Sequence, residues 1–506
     1  MDRIHKILQD LQDKSWLLFV AIAIIYLAFP TRAYYWDGIV FAQAIEDAAS
    51  LNPSLVHPNH LIYNFVGYIF YKLLRGFGFE LRALTALQIL SSVVGAACAG
   101  VLFAILRDTL RSLYLSVCLT VLFAFSATWW KFSTDANAYI PSVLFLLVSF
   151  YLALPDRKAR PLLVAVTFFI SMAFHQLAVL MFPVLAIGVY LQDGGSRSPK
   201  RRALNVVVFS VVATTLIVVT YAYFFYLASG SLDVGRLLRW SASYSPDADT
   251  KFSFWSNLQY SMRGHVRLFF GGRFNSLRGL MNPFVVVLIA CLILAVLWFI
   301  YEALKRLMTI GRSREVGLEP RQKIVLLLAL SWTAVYLVFL FFWLPQNTFY
   351  RLFYLPALIL LLGLALASFK GPRSWALAVF VAAVALANFL FLIYPFSHVE
   401  KYPPLVFALQ MNREWPAGTV IYYGAENSDE QLVRYFNPGT RWKRLDPKSL
   451  ELLDREPGAW LETTAIAQLA SIPEGARWLE SHVRKESLKE LNDGAFKIRF
   501  IQIRPQ

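Results

Sequence analysis

The sequence has few charged residues and very few cysteines for its length. Only 16% of its 506 residues are Asp, Glu, Lys or Arg, and three are cysteines. Cys98, Cys118 and Cys291 all lie inside apolar runs, which argues against a disulfide framework and against a cysteine-based metal site. The sequence also lacks internal repeats, low-complexity segments and a glycine-rich phosphate loop. The apolar content is therefore the main guide to its class.

Apolar residues dominate the chain. They make up 58% of it, and the mean hydropathy of +0.52 exceeds what a soluble surface of this size allows. This composition predicts an integral membrane protein. A net charge of +16 would suggest nucleic-acid binding in a soluble chain, but here Lys and Arg cluster in short loops between apolar runs, so no nucleic-acid partner is expected. The charged start of the chain precedes an apolar run without a cleavage pattern, which predicts a retained anchor.

Apolar runs and loop charges together predict a topology. A helix needs about 20 apolar residues to cross a bilayer, and about eleven runs qualify. They are centred near residues 24, 94, 121, 147, 169, 184, 216, 292, 333, 360 and 385. Alternate connections are rich in Lys and Arg, whereas the short loops at 134–139, 174–176 and 343–351 contain one such residue or none. The positive-inside rule then places the amino end inside and the carboxyl end outside.

Three larger regions fall on the outer side: 31–80, 229–281 and the tail from 398. In the first, residues 65–74 (FVGYIFYKLL) are too few to span and too apolar for a solvated loop, which predicts a helix lying at the membrane interface. The tail has strand and amphipathic-helix patterns and a terminal alternating segment, AFKIRFIQIR. We predict an α-helical polytopic transmembrane domain over 1–397, with the active site on its outer loops, and a small α/β extracytoplasmic domain over 398–506.

The first outer region contains the first candidate site residues. Asp37 follows three aromatic residues at a membrane exit, where partial desolvation would make its carboxylate a better general base. It could equally begin a helix, because the next residues have helical spacing. His57, Asn59 and His60 follow in an unusual string with one proline. They suit substrate hydrogen bonding, one side of a metal site, or a purely structural tie to the interface.

Polar residues also mark the later outer turns. Asp135, with Lys131 shortly before it, lies at the outer end of a predicted span, where an acid is costly unless it is paired or hydrated. This favours a functional site that faces a water-filled cavity. His175 lies in the next tight turn and could face the same cavity or be a satisfied interfacial residue. Arg351, preceded by Tyr350, is the one basic residue of its loop, which suggests a bound phosphate or snorkelling to headgroups.

The second outer region mixes aromatic and basic residues. Arg263 and His265 lie in this stretch, between Tyr260 and Phe269. Such a composition suits the lipid headgroup layer, so the two residues either bind substrate or belong to an interfacial belt.

Together these features resemble the GT-C superfamily of membrane glycosyltransferases, in particular the group of protein O-mannosyltransferases and aminoarabinose transferases. The resemblance rests on an Asp after the first span, a His-Pro segment with a juxtamembrane helix, a second Asp in the next outer turn, a Tyr-Arg-aromatic-Leu-Pro element and an outer C-terminal domain. By position, Asp37 matches the first-loop acid, Asp135 the second-turn acid and Arg351 a phosphate holder.

The resemblance implies a polyprenyl-phosphate sugar donor and a hydroxyl acceptor on a protein, lipid or glycan. Asp37 would accept the acceptor proton, the sugar would transfer with inversion, and Arg351 or Lys131 would counter the charge of the departing phosphate. In that family the lipid phosphate is held by basic residues or by a metal, so a divalent metal is the one cofactor that the resemblance brings into consideration. Compact loops and the absence of large insertions favour a bacterial cytoplasmic membrane.

Two other functions compete with this one. A transporter or flippase for a lipid-linked or anionic solute would use the same polar residues to line a pathway. Those residues gather at outer mouths rather than at mid-membrane, and the sequence has no paired broken helices of the transporter kind. A non-catalytic assembly protein, in which the tail matters most, is the third interpretation.

Overall fold

The computed structural model of the protein describes most of the chain. The described residues are 16–155, 157–192, 198–243, 252–272, 318–367, 375–424, 430–446, 450–492, 497–503 and isolated positions between 287 and 301. The chain divides into two compact units. The first comprises Met1–Pro30 and Ala44–Tyr394, and the second comprises Thr31–Gln43 and Pro395–Gln506. The segment that contains Asp37 thus belongs to the second unit.

Apolar helices make up the first unit. Those long or apolar enough to matter for membrane crossing are Trp16–Ala28, Ala83–Leu110, Leu113–Ala124, Ala127–Ser133, Tyr139–Leu152, Pro161–Phe174, Phe182–Leu191, Pro199–Ser229, Pro320–Trp343, Leu355–Ala367 and Trp375–Asn388. The more polar ones are Trp36–Asp47, Tyr63–Gly76, Val234–Ala242 and Phe254–Phe269. Trp36–Asp47 begins in the part of the chain assigned to the second unit. Short 3-10 helices cover Pro53–Leu55, Gln176–Met181 and Phe349–Phe353.

The predicted spans can be compared with these helices. In the described part of the chain, four helices are long and apolar enough to cross a membrane, and one bent pair of helices meets the same criterion when counted as one span. Five other apolar helices are shorter. Ala83–Leu110, at about 1.5 Å per residue, exceeds the roughly 30 Å of a hydrocarbon core. Ten of the eleven predicted centres fall within these elements. The centre near residue 292 lies outside the described residues.

The bent pair is the main irregularity of the bundle. Leu113–Ala124 and Ala127–Ser133 meet at 66°, at Phe125 and Ser126. Asn388, on Trp375–Asn388, pairs with a carbonyl at this bend and with one at the end of Phe254–Phe269: its amide nitrogen donates to Phe125 O (2.9 Å) and to Phe269 O (2.7 Å). Its amide oxygen accepts the Gly271 N–H at 3.0 Å. One buried carboxamide thus joins three segments that are distant in sequence, as buried polar groups in an apolar bundle require.

The predicted interfacial helix exists. It runs from Tyr63 to Gly76 and buries a stripe of mainly polar and small residues, Tyr63, Asn64, Gly67, Tyr68 and Tyr71. Ile69 and Leu73 lie on its other face and are exposed. This division fits an amphipathic helix whose apolar face contacts lipid.

The second unit is the predicted α/β fold. Its strands are β1 (Val420–Tyr423), β2 (Arg441–Arg444), β3 (Trp460–Glu462), β4 (Val483–Asn492) and β5 (Lys497–Ile503), in the order β2-β1-β3-β5-β4. The first three are parallel, and β5 runs antiparallel to β3 and β4. Its helices are Pro403–Glu414, Glu430–Phe436, Leu450–Asp454, Thr463–Ala470 and Pro473–His482, with a 3-10 turn at Val399–Lys401. The short helix Tyr394–Phe396 begins at the last residue of the first unit. Leu461, Ala465 and Leu469 are fully buried in its core.

Candidate active site

Two loops of the first unit are joined by hydrogen bonds. Gln176 N–H donates to Asn59 O at 3.1 Å, and Ile62 N–H donates to Ala173 O at 3.2 Å. His60 Nδ1 donates to Phe174 O at 3.2 Å. The 57–62 loop and the 173–176 turn therefore form one rigid surface, which brings together polar residues that are more than a hundred positions apart.

Three imidazoles and two phenols gather on this surface. The ring centres of His57 and His60 are 4.9 Å apart, and those of His60 and His175 are 4.7 Å apart. Tyr139 lies 4.8 Å from His175 and 5.8 Å from Tyr350. We call these five residues the histidine–tyrosine cluster. Four of them are predicted site residues, and Tyr139 is one that the sequence did not single out.

Two of the three imidazoles of this cluster have their acceptor nitrogen engaged by the backbone. His175 Nδ1 accepts the Leu177 N–H at 3.0 Å, and His57 Nδ1 accepts the Asn59 N–H at 3.3 Å. A neutral imidazole has a single acceptor nitrogen, so both rings already use it on the backbone. Among the described residues, no group of three His, Cys, Asp or Glu side chains could hold a metal ion.

A nearby carboxylate is also engaged elsewhere. Glu46, the acid that precedes these histidines by about ten residues in the sequence, bonds Arg82 at 2.5 Å and accepts the Ala83 N–H at 2.8 Å. It anchors the start of Ala83–Leu110. The described residues of this loop thus offer hydrogen bonding rather than metal coordination, and a divalent metal stays a sequence-based prediction.

A cavity of about 350 Å³ opens beside the cluster. Its walls contain three predicted residues, Asn59, His175 and Tyr350. The remaining walls come mainly from apolar and aromatic side chains of Gln176–Met181, Val234–Ala242 and Pro320–Trp343. Trp343 stacks on Tyr350 with ring centres 5.4 Å apart. A small, mostly apolar cavity with a few polar groups is typical of a small-molecule site.

Acidification is expected to destabilise the protein through this cluster. Burial lowers the pKa of His57 to about 4, and burial together with the charges of His175 and His57 lowers the pKa of His60 well below its usual range. An unfolded imidazole titrates near 6.5, so between about pH 6.5 and 4 the unfolded chain binds protons that the folded chain does not. The stability contributed by neutral His57 is complete above that range and is lost as pH falls through it.

The measurement is the thermal midpoint of the detergent-solubilised protein at pH 7.5 and pH 5.0. The wild type should lose several degrees on acidification, and His57→Asn should lose less, because an asparagine oxygen can still accept the Asn59 N–H without titrating. Part of the pH dependence of the thermal midpoint should remain in this variant, because His60 and His175 are unchanged. Equal losses in both proteins would contradict the assignment to His57.

Arg351 belongs to a second group of polar residues. It lies on the same 3-10 helix as Tyr350. Its side chain is fully buried. Nη2 donates to Pro345 O at 2.6 Å and to Ser261 Oγ at 3.4 Å, and Nη1 donates to Tyr354 OH at 2.7 Å. Nε has no hydrogen-bond partner. In the part of the chain that the structure describes, no carboxylate pairs with this guanidinium, so its positive charge is uncompensated.

A short hydrogen-bond chain leads from Arg351 to His265. Tyr354 OH lies 2.9 Å from His265 Nε2, and His265 Nδ1 lies 2.8 Å from Ser261 O. A backbone carbonyl only accepts, so Nδ1 carries the proton, and Nε2 of the neutral ring accepts from Tyr354. Burial lowers the pKa of His265; the bond to Ser261 opposes this shift and the Arg351 charge adds to it. The chain holds the guanidinium without neutralising it.

Gly264 makes room for the guanidinium. It lies on Phe254–Phe269, whose buried stripe is Asn257, Ser261, Gly264 and Leu268. A Cβ at position 264 would come within 2.8 Å of Arg351 Nη2 and 2.9 Å of Cζ. Such contacts force Arg351 to move.

Gly264→Ala is therefore expected to lower activity about tenfold with little change in folding, since alanine is otherwise the better helix former. The readout is the initial rate of the sugar transfer that the resemblance implies, measured alongside the thermal midpoint. Gly100→Ala is the matched control, because a Cβ on that helical glycine meets nothing closer than 4.0 Å. A variant as active as the wild type would show that the position of Arg351 does not matter.

Asp135 and Lys131 form an ion pair. Lys131 Nζ lies 3.3 Å from Asp135 Oδ2, and the fully buried carboxylate also accepts the Ala136 N–H at 2.9 Å. Gln88 supports the turn by donating to Thr134 O at 3.0 Å. Phe132, between the ion pair and the cluster, contacts Tyr139 at 5.8 Å between ring centres. This arrangement holds the Lys131 ammonium in a fixed position, which suits charge positioning.

The other predicted residues lie elsewhere. Asp37 is half-buried in the first turn of Trp36–Asp47, in the second unit, so the expected helix start is present. An acid there is favoured by the helix dipole. Arg263 lies on the exposed face of Phe254–Phe269, and no hydrogen bond or ion pair with another described residue involves it. Arg263 and His265 therefore separate: the first remains on a lipid- or water-facing surface, and the second joins Arg351.

Comparison with known proteins identifies the fold. No protein-family model matches the sequence, and no curated protein does. The crystal structure of ArnT from Cupriavidus metallidurans bound to undecaprenyl phosphate is 12% identical, with a TM-score of 0.59 over 97% of this chain and 99% of that one. This chain has the ArnT fold. The apo form of ArnT gives 13% identity and a TM-score of 0.58 over 98% and 100% of the two chains.

At this level of identity the likeness concerns the fold. The resemblance to the aminoarabinose transferase group is confirmed as a likeness of fold. The predicted fold class, a polytopic helical membrane protein with a small C-terminal sheet, is also confirmed.

Proposed function

We propose that this protein is an integral-membrane glycosyltransferase that moves a sugar from a polyprenyl-phosphate donor to a hydroxyl acceptor. The observation that carries the proposal is the buried guanidinium of Arg351, with which no carboxylate of the described residues pairs. An ion taken out of water costs several kcal/mol unless it is paired, so a buried arginine without a carboxylate is expected where an anionic ligand binds. The ArnT fold supports the choice of anion, because ArnT was crystallised with undecaprenyl phosphate.

We propose that a phosphate binds Arg351 by taking the place of one of its present acceptors. Two of its present acceptors, Pro345 O and Ser261 Oγ, are neutral. A phosphate oxygen in the place of either one would replace a hydrogen bond between a cation and a neutral acceptor with one between opposite charges, which is stronger. Nε, which has no partner now, could complete a bidentate contact. The ion pair of Lys131 and Asp135 offers a second fixed cation in the same unit.

The cavity beside the histidine–tyrosine cluster is the proposed sugar site. Its walls pair the ring face of Tyr350 with the polar groups of Asn59 and His175. Aromatic faces pack on the C–H faces of sugars, and the amide and imidazole can bond sugar hydroxyls. The 3-10 helix Phe349–Phe353 carries both Tyr350 and Arg351, so a donor whose sugar contacts the first could place its phosphate near the second.

The proposed reaction is a single displacement. Asp37 takes the proton of the acceptor hydroxyl, the oxygen forms a bond to the anomeric carbon, and the bond from that carbon to the phosphate oxygen breaks, its electron pair leaving with polyprenyl phosphate. Configuration inverts because attack and departure are on opposite faces. The role of Asp37 rests on its sequence position and on the resemblance. Asp135 is proposed to position Lys131 during transfer.

The test is transfer from a panel of polyprenyl-phosphate sugars by the purified protein in liposomes. A radiolabelled sugar should move to one of the protein, lipid or glycan acceptors supplied, and NMR of the product should show an inverted anomeric linkage. Movement of the intact donor across the liposome bilayer without any product would refute the proposal and support a flippase. We place the active site and the second unit on the outer face of a bacterial cytoplasmic membrane, as the loop charges indicate.

A further inference from the structure

The second unit contains its own cleft. It encloses about 680 Å³ and is bordered by the loops that precede β1 and β3. Both loops turn through a glycine with positive φ, Gly418 at 88° and Gly458 at 87°, a conformation that other residues adopt only with strain. Lys489 of β4 and Gln502 of β5 complete the wall. The volume is within the roughly 300–1,000 Å³ of small-molecule sites.

The carboxylates of this cleft are already paired. Glu414 bonds Lys489 Nζ at 2.8 Å. Glu456 bonds Lys443 Nζ at 2.5 Å and accepts from Tyr422 OH at 2.7 Å. Neither acid is therefore left to attract a cation.

Two guanidinium groups in the cleft have no such partner. The side chains of Arg441 and Arg455 are exposed and line it. Arg441 Nε donates to Gly418 O at 3.3 Å, which leaves both Nη groups available. Across the described ranges of the chain, neither arginine forms an ion pair, and Arg455 forms no hydrogen bond. The cleft therefore carries an excess of positive charge in the form best suited to carboxylate or phosphate oxygens.

Two indoles form the apolar part of the cleft. Trp415 and Trp460 meet edge to face with ring centres 5.8 Å apart, and the Lys489 ammonium lies 4.5 Å from the Trp415 ring centre. Trp460 is half-buried, so part of its ring faces the cleft. Trp415 is nine-tenths buried or more, and its Nε1–H has no acceptor among the residues described. A buried donor without a partner is unusual, and a ligand oxygen would satisfy it.

We propose that this cleft binds an anionic saccharide, a sugar ring that carries a carboxylate or a phosphate. Arg441 and Arg455 contact the anionic group, an indole packs on the ring, and the Gln502 amide bonds a hydroxyl. The combination favours this class of ligand over the alternatives. A free anion has no ring to pack on the indoles, and a neutral sugar has no charge to pair with the arginines. The inference does not depend on the proposed transferase activity.

Isothermal titration of the purified full-length protein tests the inference. Glucuronic acid or glucose 6-phosphate should bind at least tenfold more tightly than either glucose or inorganic phosphate, and less tightly as salt rises. The double variant Arg441→Gln and Arg455→Gln should weaken that binding at least tenfold, and Trp460→Leu should weaken it as well. Arg477→Gln, an exposed arginine of the same unit outside the cleft, should leave it unchanged.

Three results would overturn the proposal. They are no binding of either anionic sugar, equal binding by the wild type and the double arginine variant, or binding of inorganic phosphate as tight as that of glucose 6-phosphate. Asp37→Asn should bind as the wild type does, so a failure of transfer and a failure of this site can be told apart.

Discussion

Arg351→Met is expected to lower sugar transfer about 10²–10³-fold while leaving the protein at least as stable as the wild type. The loss of activity follows because a neutral thioether cannot counter the phosphate charge that develops as the donor bond breaks. The effect on stability follows from two opposing costs. The variant leaves Pro345 O without its donor, which costs about 1–3 kcal/mol, but it removes an uncompensated buried ion, which costs several.

The measurements are the initial transfer rate and the thermal midpoint in detergent. Arg351→Lys is the informative companion: it keeps the charge but loses the planar fork, so it should retain more activity than methionine and less than arginine. A midpoint that falls sharply in Arg351→Met would show that the arginine is a structural element of the bundle, and the phosphate assignment would be withdrawn.

Asp37→Asn is expected to reduce transfer about 10²–10⁴-fold, the usual contribution of a general base. Asparagine has nearly the same shape and also begins helices well, so Trp36–Asp47 should form as before and expression should be normal. Donor binding should be unchanged, because the proposed phosphate and sugar contacts come from other residues.

Asp233→Asn is the matched control. Asp233 also stands at a helix start, where its carboxylate accepts the Arg236 N–H at 2.6 Å, and asparagine can replace it there. The rate should not change. Near-normal turnover in Asp37→Asn would remove the base assignment, and Asp135 would then be the carboxylate to examine.

Much of the fold could be predicted because it follows from local composition. Apolar runs of membrane-crossing length gave ten described helices, and strand and helix patterns gave the terminal domain. The interfacial helix was predicted from a length that is too short to span and a composition too apolar for water. These are properties of single segments, so no tertiary contact is needed to find them.

The site was harder to predict, because its geometry depends on contacts between distant segments. The sequence could place His57, His60 and His175 on one side of the membrane but could not show that backbone bonds draw their loops together. The burial of Arg351 likewise depends on Phe254–Phe269, whose inner face has one apolar residue, Leu268, among small and polar ones. Gly264 gives no signal in the sequence at all.

One overlooked residue did have a signal. Asn388 interrupts the long apolar run WALAVFVAAVALANFLFLI, and an isolated amide in such a run is costly unless it is paired. The same argument was applied to Asp135 and could have been applied to Asn388. The sequence could not show which groups pair with Asn388, because they lie on segments far earlier in the chain.

The position of Asn388 also bears on how the chain is assembled. Its amide bonds the carbonyls of Phe125 and Phe269, which a ribosome makes 263 and 119 residues earlier. During synthesis those two carbonyls, and the Gly271 N–H, emerge long before the side chain that pairs them. The hydrogen bond between Asn388 and the bend near residue 125 therefore cannot form until the helix Trp375–Asn388 has been synthesised.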